Sequence, residues 1–333
     1  MAVAMFTGCS NNGGPQLAPT GSIQQPAVGG ADATKTMVGA TFQPGHLYVA
    51  QGADIASKVY RFPLQANGLP SKTPDGELSL GFRYPSGIAI GPDGDLYVSS
   101  SGTANACRNE AKCFVEVFAP GASGKATPIR VLYVPDQPQY IAVDQRGYLD
   151  VSLLRSGVGL TNVYSPNASG NDQPINQISS DGVKALAARR GIVYIQTVTQ
   201  GIDGVHEHAR NHQPINFADP RGETANGIAT DATRLYGEYY SQPGNELFLA
   251  VAVYDLDHAG GPIRTIIGIG CKERASGGAL GYGLAVYKQY LFEGCIALGG
   301  AAGGVLVYDG SKHGKQAPIM QLPGGNIGVA IGP

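Results

Sequence analysis

Through most of this chain, short apolar runs are broken at regular intervals by turn residues, and the stretch from Pro85 to Leu132 shows the pattern most clearly. Gly87-Ile88-Ala89-Ile90-Gly91 is apolar without polar alternation, as expected of a strand buried on both faces. Pro92-Asp93-Gly94 supplies a tight reversal, because Asp and Gly tolerate positive φ, and Leu96 to Val98 returns as the partner strand. Val115 to Phe118 and Ile129 to Leu132 add two more strands around a second Gly-rich turn. Four short antiparallel strands per unit make one blade of a β-propeller.

The unit recurs to the C-terminus. Inner strands are expected at Tyr140 to Asp144, Lys184 to Ala188, Gly227 to Asp231 and Gly283 to Val286, and second strands at Leu149 to Val151, Val193 to Ile195, Leu235-Tyr236 and Leu291-Phe292. Third strands end in Phe118, Tyr164, Tyr254 and Tyr308. A Pro-Ile pair opens each fourth strand, at Pro128-Ile129, Pro174-Ile175, Pro214-Ile215, Pro262-Ile263 and Pro318-Ile319. Val183 to Arg190 is helical by propensity, but it sits in register with the inner strands, and the repeat overrides propensity. Near the N-terminus Gly45 to Val49 is a second strand in need of an inner partner, and Gly328 to Pro333 is an inner strand with no partner after it. Their pairing closes six blades into a ring without free edges. Met37 to Phe42 is the competing candidate for that inner strand. The expected fold is therefore all-β, a six-bladed β-propeller of four-stranded antiparallel blades closed by the C-terminal strand.

Composition agrees: among 333 residues there are 49 Gly and 22 Pro, and only 14% are charged. A propeller accommodates this length in one domain, because each blade-to-blade interface is its own apolar layer. With a formal net charge of -2 and no Lys/Arg cluster, nucleic acid is excluded as an expected partner. No apolar run is long enough to span a bilayer as a helix.

Met5-Phe6-Thr7-Gly8-Cys9-Ser10 reads as the end of a bacterial lipoprotein signal, in which small residues precede a lipid-bearing Cys. Residues 1–9 are expected to be a truncated signal remnant ending at Cys9, since Met1 to Met5 lacks the basic n-region and most of the apolar h-region. The alternative is a cytoplasmic protein with a chance Cys. Residues 10–36 are Gly/Pro/Ser-rich with almost no large apolar side chain, a flexible tether, and residues 37–333 form the propeller. Setting Cys9 aside leaves two plausible disulfide pairs, Cys107 with Cys113 and Cys271 with Cys295, on connections that emerge on one face. Four reduced thiols are the alternative. The expected address is extracytoplasmic, in the periplasm or at the cell surface, on the membrane only through the lipid at Cys9.

With these motifs in hand, the chain resembles the NHL-type six-bladed propellers of bacterial exported lipoproteins, from roughly Gly45 to Pro333. The resemblance rests on Gly-Ile-Ala-Ile-x-x-x-Gly-x-Leu-Tyr-Val and on Val-Phe-x-x-Gly-Ala-Ser-Gly-x-x-x-Pro-Ile-Arg. It is distantly similar to the gluconolactonase and streptogramin-lyase propellers, and that similarity implies a channel-mouth divalent cation or a catalytic His. The residues do not follow it. The inner-strand starts are Ser86-Gly87, Gln139-Tyr140, Val183-Lys184, Asn226-Gly227, Tyr282-Gly283 and Ile327-Gly328, none acidic, although Asp136, Asp181 and Glu223 lie in adjoining loops. His206, Glu207, His208 and His212 form the densest His cluster, read as a polar outer rim on the far face because no third or fourth ligand is evident. Gly121-Ala122-Ser123-Gly124-Lys125 fails as a phosphate loop, because Ala126 stands where a magnesium-binding hydroxyl is required, and Asn167-Ala168-Ser169-Gly170 repeats the turn without a Lys.

No catalytic residue, metal or cofactor is therefore expected. Candidate channel-mouth contacts are Gln139, Tyr140, Lys184, Asn226 and Tyr282. Candidate contacts on the cysteine-bearing loop face are Arg108, Glu110, Arg221, Glu223, Glu238, Tyr240, Lys272 and Arg274, a mix of charge and aromatic suited to protein or glycan. The expected function is a monomeric, non-catalytic module that binds or scaffolds a protein or glycan. The alternative is a propeller hydrolase or lyase with its site at the channel mouth.

Overall fold

A computed structural model describes residues 45–52, 57–81, 85–100, 113–155, 158–198, 201–207, 214–218, 224–241, 248–269, 280–296, 304–323 and 328–332. The signal remnant, the tether and Met37 to Phe42 lie outside them. Phe42–Pro333 is one compact unit.

Each apolar pair of the sequence folds as a hairpin, and successive hairpins add into six sheets, each with four antiparallel strands in meander order; the sheet of blade 5 gains a short fifth strand, Gly314–Lys315, which pairs parallel to Arg264–Ile269. Blade 2, the cleanest copy, consists of Pro85–Ile90, Leu96–Ser100, Cys113–Phe118 and Arg130–Val134. The inner strands of blades 2 to 6 are Pro85–Ile90, Gln137–Val143, Val183–Arg189, Thr224–Thr230 and Leu280–Tyr287. Blade 1 takes its inner strand from the other end of the chain: Gly328–Gly332 pairs with His46–Gln51, Val49 opposite Val329 and Leu47 opposite Ile331. Each inner strand touches the next, and the sixth touches the first, so the six-bladed ring is closed. Val183–Arg189 is a strand despite its Ala, Leu and Arg content, because its backbone donors and acceptors are taken by Ile192–Thr197.

The core is divided the way a ring requires. Among the described residues there are six buried apolar clusters, one in each interface between neighbouring blades. Between blades 3 and 4, for example, Ala142, Val163 and Ile178 meet Val183, Leu186, Val193 and Ile195. Side chains alternate along every strand, so each blade contributes to the cluster on either side.

Two sequence motifs acquire a structural reason. The Gly-Ala-Ser-Gly turn at 121–124 and its Asn-Ala-Ser-Gly copy at 167–170 clasp blades together: Gly124 bridges to Leu78 of blade 1, and Gly170 to Leu132 of blade 2. The Gly170 amide donates to the Val131 carbonyl and its carbonyl accepts from Tyr133, both at 2.7 Å. Gly124 and Gly170 adopt φ of 63° and 58°, where a residue with Cβ is strained. In the Pro-Ile pairs the Ile amide donates to a third-strand carbonyl at 2.8 Å in four blades. The fourth strand then starts one residue later, at Arg130, Asn176, Arg264 and Met320, and Ile129, Ile175, Ile263 and Ile319 stand exposed on the rim.

Candidate functional site

The inner strands of blades 2 to 6 are irregular where they begin. Their pairing with the second strand slips between Pro85 and Gly87, Pro138 and Ile141, Val183 and Ala185, Thr224 and Ile228, and Gly281 and Leu284. The bulged positions are thus Ser86, Gln139-Tyr140, Lys184, Ala225 to Gly227, and Tyr282-Gly283. All five residues expected at the channel mouth fall on these bulges, which re-aim a side chain without lengthening the blade. Gln139, Tyr140, Lys184 and Asn226 are half-buried there. The side chain of Tyr282 lies outside the described residues.

A buried polar residue on the second strand stands behind each of four bulges. Ser99 donates to the Gly87 carbonyl and shares a hydrogen bond with Ser86. Ser152 accepts from the Tyr140 amide at 2.9 Å. Gln196 donates through Nε2 to the Glu238 carbonyl, and Glu238 lays its carboxyl over Gly227, where any Cβ would collide with it. Ser99, Ser152, Gln196 and Glu238 occupy the same place in their repeats, after Leu96-Tyr97-Val98, Leu149-Asp150-Val151, Val193-Tyr194-Ile195 and Leu235-Tyr236-Gly237, so aligning the copies was the signal that marks them out.

Glu238 was expected on an exposed loop. The strand instead runs on through Arg234–Ser241, so Glu238 is a mid-strand residue with no solvent exposure. Of the other loop-face candidates, Arg108, Glu110, Arg221, Glu223, Lys272 and Arg274 lie outside the described residues, as does the side chain of Tyr240. Cys113 and Cys295 are buried on strands, in Cys113–Phe118 and Tyr290–Ile296, and Cys9, Cys107 and Cys271 fall outside the described residues. The His cluster is also not a polar rim throughout. Glu207 is fully buried and accepts from Arg146 Nη2 at 2.6 Å, because its side chain turns into the interface between blades 3 and 4. His208, His212 and the His206 side chain lie outside the described residues. Among those residues no three His, Cys, Asp or Glu gather as a metal cage.

The interior holds several acids. In the interface of blades 3 and 4, Asp144 accepts from Arg146 Nε at 2.7 Å and from two backbone amides. Burial pushes the Glu207 carboxyl up to about 7, with the Asp144 charge adding to it and Arg146 opposing it. Asp150 is raised well above the carboxylate range by burial and then by the charges of Glu207 and Asp144, and neither of its oxygens has a hydrogen-bond partner among the described residues. Burial likewise lifts Glu238 to about 8. Glu293 of blade 6 is raised well above its usual value by burial and by the neighbouring Glu238.

A cleft of about 500 Å³ opens beside the clasp between blades 2 and 3, lined by the outer strand of blade 2 and by three strands of blade 3. Val134, Leu153 and Leu160 supply its apolar wall. Its polar wall is ordered internally: Gln177 donates to Asn162 Oδ1 at 3.0 Å, and Asn162 donates to the Tyr164 hydroxyl at 3.2 Å. Tyr133, Asp136, Asp172 and Gln173 line the same space. Asp136 and Asp172 each hold one backbone amide, of Gln137 and of Ser169, which fixes the carboxylates and leaves lone pairs for a ligand. The cleft was not among the expected sites, because its residues come from segments far apart within two repeats and none belongs to a chemical motif.

No family model and no curated protein matches the chain. Solved β-propeller proteins resemble it in fold alone. The PQQ-bound aldose sugar dehydrogenase of Streptomyces coelicolor superposes with a TM-score of 0.44 at 17% identity, over 63% of this chain and 76% of that one. The GH74 xyloglucanase of Xanthomonas campestris gives 0.49 at 15%, over 83% of this chain and 46% of that one. BamB of Moraxella catarrhalis gives 0.41 at 13%, over 72% and 65%.

Proposed function

We propose that this propeller is a non-catalytic carbohydrate-binding module, displayed outside the cytoplasm on a lipid-anchored tether. The cleft between blades 2 and 3 carries the reading. Its volume lies within the ordinary range for small-molecule sites. Its lining pairs apolar side chains and the Tyr133 ring, against which the C–H face of a sugar packs, with fixed carboxylate and amide groups that satisfy hydroxyls. A protein partner would need a wider, flatter surface with an apolar centre. The binding screen uses the full chain and a panel of neutral oligosaccharides, followed by calorimetry on any hit. Tyr133→Ala and Asp136→Ala should each weaken a bound sugar by tenfold or more, about 1.4 kcal/mol. The reading fails if no sugar binds, or if both variants bind as the parent does.

The address belongs to the same proposal. It rests on the Gly8-Cys9 junction, on the Gly/Pro/Ser-rich segment after it, and on the NHL-type repeat pattern. It is supported by Cys113 and Cys295, which are both in disulfide form, a state kept in oxidising compartments; we assign their partners as Cys107 and Cys271. Fractionation of cells carrying Cys9→Ser checks the anchor: the chain should leave the membrane fraction, and retention there would argue against lipid at Cys9.

A further inference from the structure

The interface between blades 5 and 6 contains a feature that a propeller core does not need. Tyr236 of blade 5 and Leu291 and Cys295 of blade 6 belong to the apolar cluster filling that interface. Side chains two apart on a strand share a face. Glu238 is two residues from Tyr236, and Glu293 lies midway between Leu291 and Cys295. The two carboxyl groups are therefore directed from opposite sheets into one apolar layer. Both are fully buried, and none of their four oxygens has a hydrogen-bond partner among the described residues. Buried polar groups are ordinarily satisfied, and a buried charge without a partner costs several kcal/mol.

The surroundings favour an oxygen-seeking ion. Glu238 lies over the bulge at Gly227, and Glu293 pairs in register with Leu284 beside the bulge at Tyr282-Gly283. Bulges leave backbone groups out of the ladder, and backbone carbonyls complete oxygen shells around hard cations. Gln196 fixes the backbone at Glu238 from blade 4. The strand meets no Lys or Arg at this point: no ion pair to Glu238 or Glu293 is formed among the described residues.

We propose that Glu238 and Glu293 are the paired carboxylate ligands of a Ca2+ ion held between blades 5 and 6. A divalent ion neutralises two carboxylates and supplies all four oxygens with a partner. Ca2+ takes six to eight oxygens in adaptable geometry, whereas Mg2+ holds its waters in a strict octahedron. The ion would tie two neighbouring inner-strand bulges to one point and stiffen this side of the channel mouth. The site is distinct from the sugar cleft and stands whether or not that reading holds.

The test uses the full chain, freed of metal with a chelator and titrated with CaCl2 by calorimetry, with MgCl2 and ZnCl2 as comparators and thermal unfolding followed in the same solutions. The expected result is one Ca2+ per chain and a melting temperature that climbs with Ca2+ concentration. Glu238→Gln and Glu293→Gln should each weaken Ca2+ binding at least tenfold. Each should also melt no lower than the metal-free parent, since each removes a carboxyl that burial makes costly to ionise. Either variant suffices, so failure of one to fold leaves the other to decide. No saturable uptake of Ca2+ by the parent chain, or uptake that persists unchanged in the folded variants, overturns the site.

Discussion

Asp150 shows what a single residue can cost a propeller. It sits in the second strand of blade 3 with no solvent exposure and, among the described residues, no hydrogen bond to either oxygen, in a position where other blades carry Tyr97, Tyr194 or Tyr236. Its proton, and that of Glu207, are held more tightly in the folded chain than in the unfolded one. As pH rises, the unfolded chain releases these protons first, near pH 4, while the folded chain keeps them. Their contribution is therefore complete below about pH 4 and fades as pH rises, up to about 7 for Glu207 and through the raised range of Asp150. Each group adds a slope of at most about 1.4 kcal/mol per pH unit within its window. Asp150→Asn removes the ionisable group and keeps the shape. Urea unfolding should show the variant gaining on the parent as pH rises, by at most about 1.4 kcal/mol per pH unit, with little change at pH 4 and a flatter profile. A variant less stable than the parent at pH 8 would mean that the Asp150 charge is compensated in the fold.

At the scale of the element, strand identity was largely legible and side-chain placement was not. Repetition made the strands readable: Val183–Arg189 followed its siblings against its own helix propensity, and Gly328–Gly332 was recognised as the missing inner strand by its likeness to Gly87 to Pro92. The inner-strand starts were located for the same reason, but that pairing slips there was not, because a bulge leaves no hydrophobic signature in pairs as different as Ser86-Gly87 and Gln139-Tyr140. What the sequence hid was strand length. Reading the second strand of blade 5 as Leu235-Tyr236 left Glu238 in a loop, whereas the ladder continues to Ser241 opposite Phe248. Burial of a carboxylate contradicts ordinary patterning, so a strand that contains one is cut short by any reading of hydrophobicity. Clasps and clefts were hidden differently. Gly170 and Leu132 are joined by a parallel bridge between blades, and the cleft beside it is assembled from two repeats, so neither leaves a local signal.

At the scale of the whole molecule, the ring depends on its two ends meeting. Six apolar clusters serve six interfaces, and two of them contain residues of the last strand: Ala330 in the layer between blades 1 and 2, and Val329 in the layer between blades 6 and 1. Without Gly328–Gly332, blade 1 would show a bare edge and both layers would open. The cleft between blades 2 and 3, the bulged mouth and the blade 5 to 6 carboxylates all hold their geometry because the circle leaves no blade free to splay. Hydrogen exchange read by mass spectrometry on the full chain tests this most directly. The closed ring predicts that amides of Gly328–Gly332 are protected as strongly as those of Pro85–Ile90, the inner strand next to it in the circle. Exchange of the last strand at the rate of an unstructured tail, with Pro85–Ile90 still protected, would contradict it.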